Sequence, residues 1–140
     1  MVDAGVCLFG LRKLMNGFTR LWAQQTRASS PGGVLHSRQF DAFGHCWISC
    51  EGSRKCGETP TFVAGTAHEL YRELERMGGR AEHDSFTPDL ANQKLGRTVS
   101  HSPGTCFDLC DQAHSAGRMD LSAPVHCVDE TLTKRIPCPP

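Results

Sequence analysis

The residues of this chain able to do acid–base chemistry fall in short sets at helical spacing. Asp41 and His45 are four apart, so on a helix they share a face, and the carboxylate can orient the imidazole and raise its basicity. His68 and Glu69 are adjacent, with the small residues Ala64 and Gly65 one turn earlier. Asp89, Asn92 and Gly96 stand at i, i+3 and i+7, a polar face whose glycine lets another backbone or a ligand come close. If these segments converge, the expected site is Asp41, His45, His68, Glu69, Asp89 and Asn92. His45 would be the general base, oriented by Asp41. His68 and Asp89 would be a second acid/base, with Glu69 and Asn92 positioning. In a second version His45, His68 and Asp89 ligate a divalent metal such as zinc. A plainer reading stands beside both: Asp41–His45 as a local helix pair and His68–Glu69 as half-exposed surface. The residue four after His68 is Arg72, so the HExxH zinc motif is absent, as are G-x-S-x-G, the P-loop and the Rossmann glycine fingerprint.

The 140 residues include 8 Cys. Cys46-x3-Cys50 and Cys106-x3-Cys110 each put two thiols on one helix face, one turn or about 6 Å apart. Two antiparallel helices could then be joined by a ladder, Cys46 to Cys110 and Cys50 to Cys106, with small Ser49 and Ala113 permitting the close approach. Zinc competes for the same four sulfurs, because C-x3-C lies within the range of structural zinc sites. The helical pattern around both pairs favours bridges, which imply a life outside a reducing cytosol. Free buried thiols are the third possibility.

The elements that must position these residues are helices. Phe40, Phe43, Trp47 and Cys50 form one apolar stripe between Gln39 and Lys55, which Gly57 and Pro60 should end. Between Phe62 and Met77 the stripe is Val63, Ala67, Leu70, Leu74 and Met77, expected to face inward with Arg72, Glu73, Glu75 and Arg76 mostly outside. Gly78-Gly79 closes it. Ser85 or Thr87 before Pro88 marks a further start, leading to a helix over Asp89–Val99, and Pro103 opens a short helix through Cys110 and Ala113. No strand pattern stands out. The expected class is all-α, a bundle of four to five helices, stapled by disulfides.

Before this core, over 1–28, four basic residues (Arg12, Lys13, Arg20, Arg27) face one acid, Asp3. Leu11, Leu14, Phe18, Leu21 and Trp22 recur at helical spacing there, a basic amphipathic helix expected to lie against the core. Its apolar run precedes Arg12 and Lys13, the reverse of a secretory signal peptide, though an organelle transit peptide fits the composition. A linker over 29–36, the core over 37–116 and a proline-rich irregular tail over 117–140, pinned by Cys127 or Cys138, complete the organisation. Fifteen basic and fifteen acidic residues cancel, which argues against a chain built to grip nucleic acid. A mean hydropathy of −0.36, with no run of about 20 apolar residues, excludes a membrane-spanning helix.

The string Asp41-Ala42-Phe43-Gly44-His45, then Trp47, Ala67-His68-Glu69 and Asp89-Leu90-x-Asn92-x-x-x-Gly96-Arg97 resembles a small helical domain. That domain occurs at the C-terminal ends of bacterial Rhs-type and wall-associated polymorphic toxins and in related secreted proteins. The resemblance spans about residues 37 to 115, and some versions share the two C-x3-C pairs. It implies a shared site at Asp41, His45, His68, Glu69, Asp89 and Asn92, and an immunity protein or an envelope substrate as partner. Gly44 departs from it, standing where those domains often carry arginine. The functional expectation is a secreted or periplasmic effector-like hydrolase, without a recognisable signal peptide. The alternatives are a cytoplasmic location and a non-enzymatic module, stapled by disulfides or zinc, that docks through its basic N-terminal helix on a partner or a membrane surface.

Overall fold

The computed structural model describes residues 4–29, 35–79, 86–122, 126–129 and 134–138. Five helices carry the fold: α1 (Ala4–Ser29), α2 (Ser37–Lys55), α3 (Glu58–Met77), α4 (Phe86–Val99) and α5 (Cys106–Ser115). Two short strands follow, β1 (Cys127–Val128) and β2 (Arg135–Ile136), paired antiparallel. The protein is a small all-α fold. Among the described residues no helix is long and apolar enough to cross a membrane.

Helix α2 is the hub, touching α1, α3, α4 and α5. Its apolar stripe is buried as its spacing requires: Phe43, Trp47 and Cys50 lie inside, with Phe40 packed at the edge. Against it, α1 buries Trp22, whose ring stacks on Phe43 at 4.5 Å between centroids. The indole Nε1–H donates to Asp111 Oδ1 of α5 at 2.9 Å. Phe18 stacks on Trp47 at 5.0 Å. The basic N-terminal helix therefore belongs to the core.

Local chemistry explains where the helices begin. Thr105 caps α5, its hydroxyl accepting from the Asp108 N–H at 3.1 Å. This helix starts at Cys106 and not at Pro103, because Gly104 has φ 117°. Pro60 does not end α2. It sits in the first turn of α3, where its missing N–H costs nothing, and Gly57 at φ 103° makes the break. Ser85, one expected start of α4, and residues 30–34 of the expected linker lie outside the described residues.

Four disulfides tie these elements together. The ladder is present: Cys46–Cys110 and Cys50–Cys106 join α2 to α5 with Cα separations of 6.0 and 5.8 Å. Their pairing leaves no thiolate there for zinc. Cys7–Cys56 fastens α1 to the end of α2, and Cys127–Cys138 closes the C-terminal strands. Such bridges suit an oxidising, extracytoplasmic environment.

Two regions differ from what sequence pattern suggests. The tail is held by backbone pairing where coil was expected: the Ser37 N–H donates to His126 O, the Val128 N–H donates to Leu35 O, and Arg27 donates to Val128 O and Asp129 O. The larger difference is α3, whose amphipathic face is turned the other way. Thr61 and Glu69 are buried, while Val63, Leu70, Leu74 and Met77 are 58%, 50%, 65% and 72% exposed. Periodicity identifies a stripe but not its direction. Here the polar side of α3 completes a polar cluster on α2 and α4.

Candidate functional site

The cluster is built where α2 and α4 come closest. Gly96 makes that approach possible, since a Cβ there would overlap the Cys46 carbonyl oxygen and stand 2.8 Å from Ser49 Cβ. One residue before Cys46 is His45, and one and two turns before Gly96 are Gln93 and Asp89. Asp89 and Gln93 share a face of α4 at i and i+4, so both reach His45.

His45 Nε2 lies 3.2 Å from Asp89 Oδ1. Its Nδ1 is 3.3 Å from Gln93 Nε2, which also donates to Glu69 Oε1 at 3.0 Å. An amide N–H can only donate, so this network assigns the tautomer: Nε2–H donates to Asp89, and Nδ1 is the basic nitrogen. The Glu69 carboxylate lies 3.9 Å from His45 Nδ1 and 3.9 Å from His68 Nε2.

The electrostatics follow from burial and paired charge. Burial by itself pulls the pKa of His45 down. The hydrogen bond to Asp89 and the negative charges of Asp89, Glu69 and Asp41 outweigh it, leaving the imidazole above its ordinary 6.5. Glu69 is pushed up to about 7, first by burial and then by Asp89, with His45 and Arg72 opposing. His68 is lowered by burial, then by the Arg12, His45 and Arg72 charges. A basic imidazole beside a carboxyl titrating near neutrality is the kind of pairing that active sites use.

A cavity of about 180 Å³ lies against this cluster. His45, His68 and Gln93, with Ser49 and Thr61, are its polar lining, Leu8, Met15, Ile48 and Ala64 its apolar lining, and Arg12 reaches it from α1. Gly65 keeps the cavity open beside Gln93, since a Cβ there would stand 2.5 Å from Gln93 Oε1. That oxygen is buried without a hydrogen-bond partner.

Of the residues singled out by sequence, His45, Glu69 and Asp89 are brought together, and His68 approaches the same Glu69 oxygen, Oε1, at 3.9 Å. Asp41 adds to the negative field at His45, while the ring nitrogen itself is held by Asp89. Asn92 is turned elsewhere: its Nδ2 donates to Asp120 O and its Oδ1 accepts from the Asp120 N–H, both at 2.9 Å. It fastens the segment after α5. Gln93 and Arg12 were not in the sequence-derived set. Gln93 was detectable as the i+4 neighbour of Asp89, whereas Arg12 stood out only as part of a basic segment.

Ligand atoms of His45, Glu69 and Asp89 lie within 4.8 Å of one another, a donor set that can hold a divalent metal. An ion there needs one nitrogen of His45, and both already have partners, so binding it must displace Asp89 or Gln93. The second such group, His36, Cys127 and Cys138, contains two bridged sulfurs. Bridged sulfurs are not thiolates and make poor ligands.

No protein-family model matches this chain, and no solved structure matches it.

Proposed function

We propose that this chain is a disulfide-stapled, extracytoplasmic hydrolase domain of the effector type, with His45 as general base. The observation that carries it is the position of His45, whose Nε2 is held by Asp89 while Nδ1 faces Gln93 at the wall of a cavity. Asp89 fixes the ring orientation and stabilises the imidazolium that forms. A water that takes the place of the Gln93 amide at Nδ1 loses its proton to that nitrogen and attacks the substrate. The proton then passes from His45 to the leaving group. Glu69 and Gln93 hold the ring from the other side before that water enters, and Arg12 offers a cation for an anionic part of the substrate. The resemblance to polymorphic-toxin domains supports the effector assignment and implies an immunity protein as partner.

The test is turnover of a panel of chromogenic carboxylic and phosphoric esters by the oxidised chain, with His45→Asn alongside. The expected result is hydrolysis of at least one ester class, reduced at least about 100-fold in the variant. No hydrolysis across the panel, or equal rates for the two proteins, overturns the reading. The alternative of a non-enzymatic module docking through α1 has less support, because it leaves the His45–Asp89–Glu69 cluster and its cavity without a role.

A further inference from the structure

The cavity beside His45 lies between α1 and α3, which supply Leu8, Arg12 and Met15 on one side and Thr61, Ala64, Gly65 and His68 on the other. Both helices present apolar side chains to solvent around it. On α3 these are Phe62 and Val63, continuing through Leu70 and Leu74 to Met77, and on α1 they are Val6, Phe9 and Leu14. Isolated exposed apolar residues are ordinary, but a whole amphipathic stripe turned outward marks a surface that something covers.

Charge indicates what covers it. Helix α1 carries exposed Arg12, Lys13 and Arg20 and no acid, while Arg27 is held on the Val128 and Asp129 carbonyls. On α3, Glu69 is buried, Glu73 pairs with Arg76 of the same helix, Glu75 accepts from the Tyr71 hydroxyl, and Glu58 pairs with His101. The cationic side of the cavity is thus α1, and Arg12 lies close enough to His68 to lower its pKa. Apolar side chains that can enter the acyl region, with Arg and Lys beside them at phosphate level, are the requirements of an interfacial helix on an anionic bilayer. The cavity repeats the same chemistry, with apolar walls at Leu8, Met15, Ile48 and Ala64 and a guanidinium at Arg12.

We propose that the α1–α3 face docks on an anionic phospholipid bilayer and that the substrate is a carboxylic ester of a phospholipid drawn from it. This rests on the hydrolase reading above. The acyl chain lies along Leu8, Met15, Ile48 and Ala64, and the headgroup phosphate meets Arg12. His45 Nδ1 takes a proton from water, and the hydroxide adds to the ester carbonyl carbon. The bond from that carbon to the glycerol oxygen breaks, and His45 returns its proton to the departing oxygen. The products are a fatty acid and a lysolipid, with no change of oxidation state.

The experiment uses the full oxidised chain in sedimentation with phosphatidylcholine vesicles, with and without phosphatidylglycerol, and measures released fatty acid by mass spectrometry. Three variants run alongside: His45→Asn, Arg12→Gln, and the double variant Leu70→Gln/Leu74→Gln. The last lies on an exposed face, and circular dichroism checks its fold. The wild type should bind the anionic vesicles and release fatty acid. His45→Asn should bind as well and release none, while the double variant and Arg12→Gln should each bind several-fold more weakly. Binding without fatty-acid release overturns the substrate. Hydrolysis of a water-soluble ester without vesicle binding overturns the docking face and leaves the hydrolase reading standing. A wild-type dimer that Leu70→Gln/Leu74→Gln dissociates would assign the stripe to a second copy and overturn the bilayer.

Discussion

Gly96 and Cys46 mark the point where two helix backbones meet, because the missing side chain of one leaves room for the carbonyl oxygen of the other. The site depends on this contact, since His45 precedes Cys46 and Gln93 and Asp89 precede Gly96 on the facing helix. Gly96→Ala should destabilise the protein by about 3 kcal/mol or more, as the obstacle is backbone that cannot move aside. The check is the shift of the denaturation midpoint. Gly65→Ala, which meets only the end of the Gln93 side chain, should cost far less.

The cysteine ladder predicts a non-additive loss. Cys46–Cys110 and Cys50–Cys106 span 64 and 56 residues, so either alone closes nearly the same long loop. Removing one rung as Cys46→Ala/Cys110→Ala leaves the other closed and should cost about 2–3 kcal/mol. Removing both should cost about 6–7 kcal/mol, comparable to the whole stability of a small domain. Denaturation curves for the two variants give the ratio. A chelator should leave the midpoint of the oxidised protein where it is.

Asp89→Asn should lower the pKa of His45. The Asp89 charge is removed while the amide oxygen can still accept from Nε2–H, so the imidazole should titrate at a lower pH than in the wild type. Titration of the His45 ring by NMR reads this without any substrate. In the wild type, hydrolysis should fall with acidification through a pKa above 6.5, since the base must be unprotonated.

Glu69 ties stability to pH. Its carboxyl holds a proton up to about 7 when folded, against 4.5 when unfolded. The native state therefore binds more protons between those values, and stability falls as pH rises across them, on the order of 3 kcal/mol. The raised His45 acts in the same direction, its contribution present below 6.5 and lost as pH rises through the folded value. Glu69→Gln removes the carboxyl part and weakens the His45 part, which draws on the Glu69 charge. Its melting temperature should drop less than that of the wild type between about pH 5 and pH 8.

Asn92→Ala should behave as a structural variant. It leaves the Asp120 N–H and C=O without their partner, at a cost of about 1–3 kcal/mol. The NMR titration of His45 should be unchanged. A shifted His45 titration would instead put Asn92 back in the site.

Sequence alone determined the helices, because helical periodicity is local, and the stripe from Phe40 to Cys50 fixes which side of α2 is inside. The sequence put two thiols on one face of α2 and two on one face of α5, but that they bridge as Cys46–Cys110 and Cys50–Cys106 depends on how the two helices pack. It also nominated His45, Glu69 and Asp89, since few other residues combine those types at helical spacing. Tertiary structure decided the rest. Which carboxylate meets which nitrogen of His45 depends on the rotation of α4 against α2, set by the contact at Gly96, and that placed Asp89 on Nε2 and added Gln93. Asn92 stands one turn from Asp89, but the chain after α5 returns to engage it. The direction of the stripe on α3 was outside the reach of periodicity altogether. The same spacing of Val63, Ala67, Leu70, Leu74 and Met77 describes a helix facing inward or outward. Here Glu69 and Thr61 on its opposite side are buried against α2 and α4, and the apolar side is left to solvent.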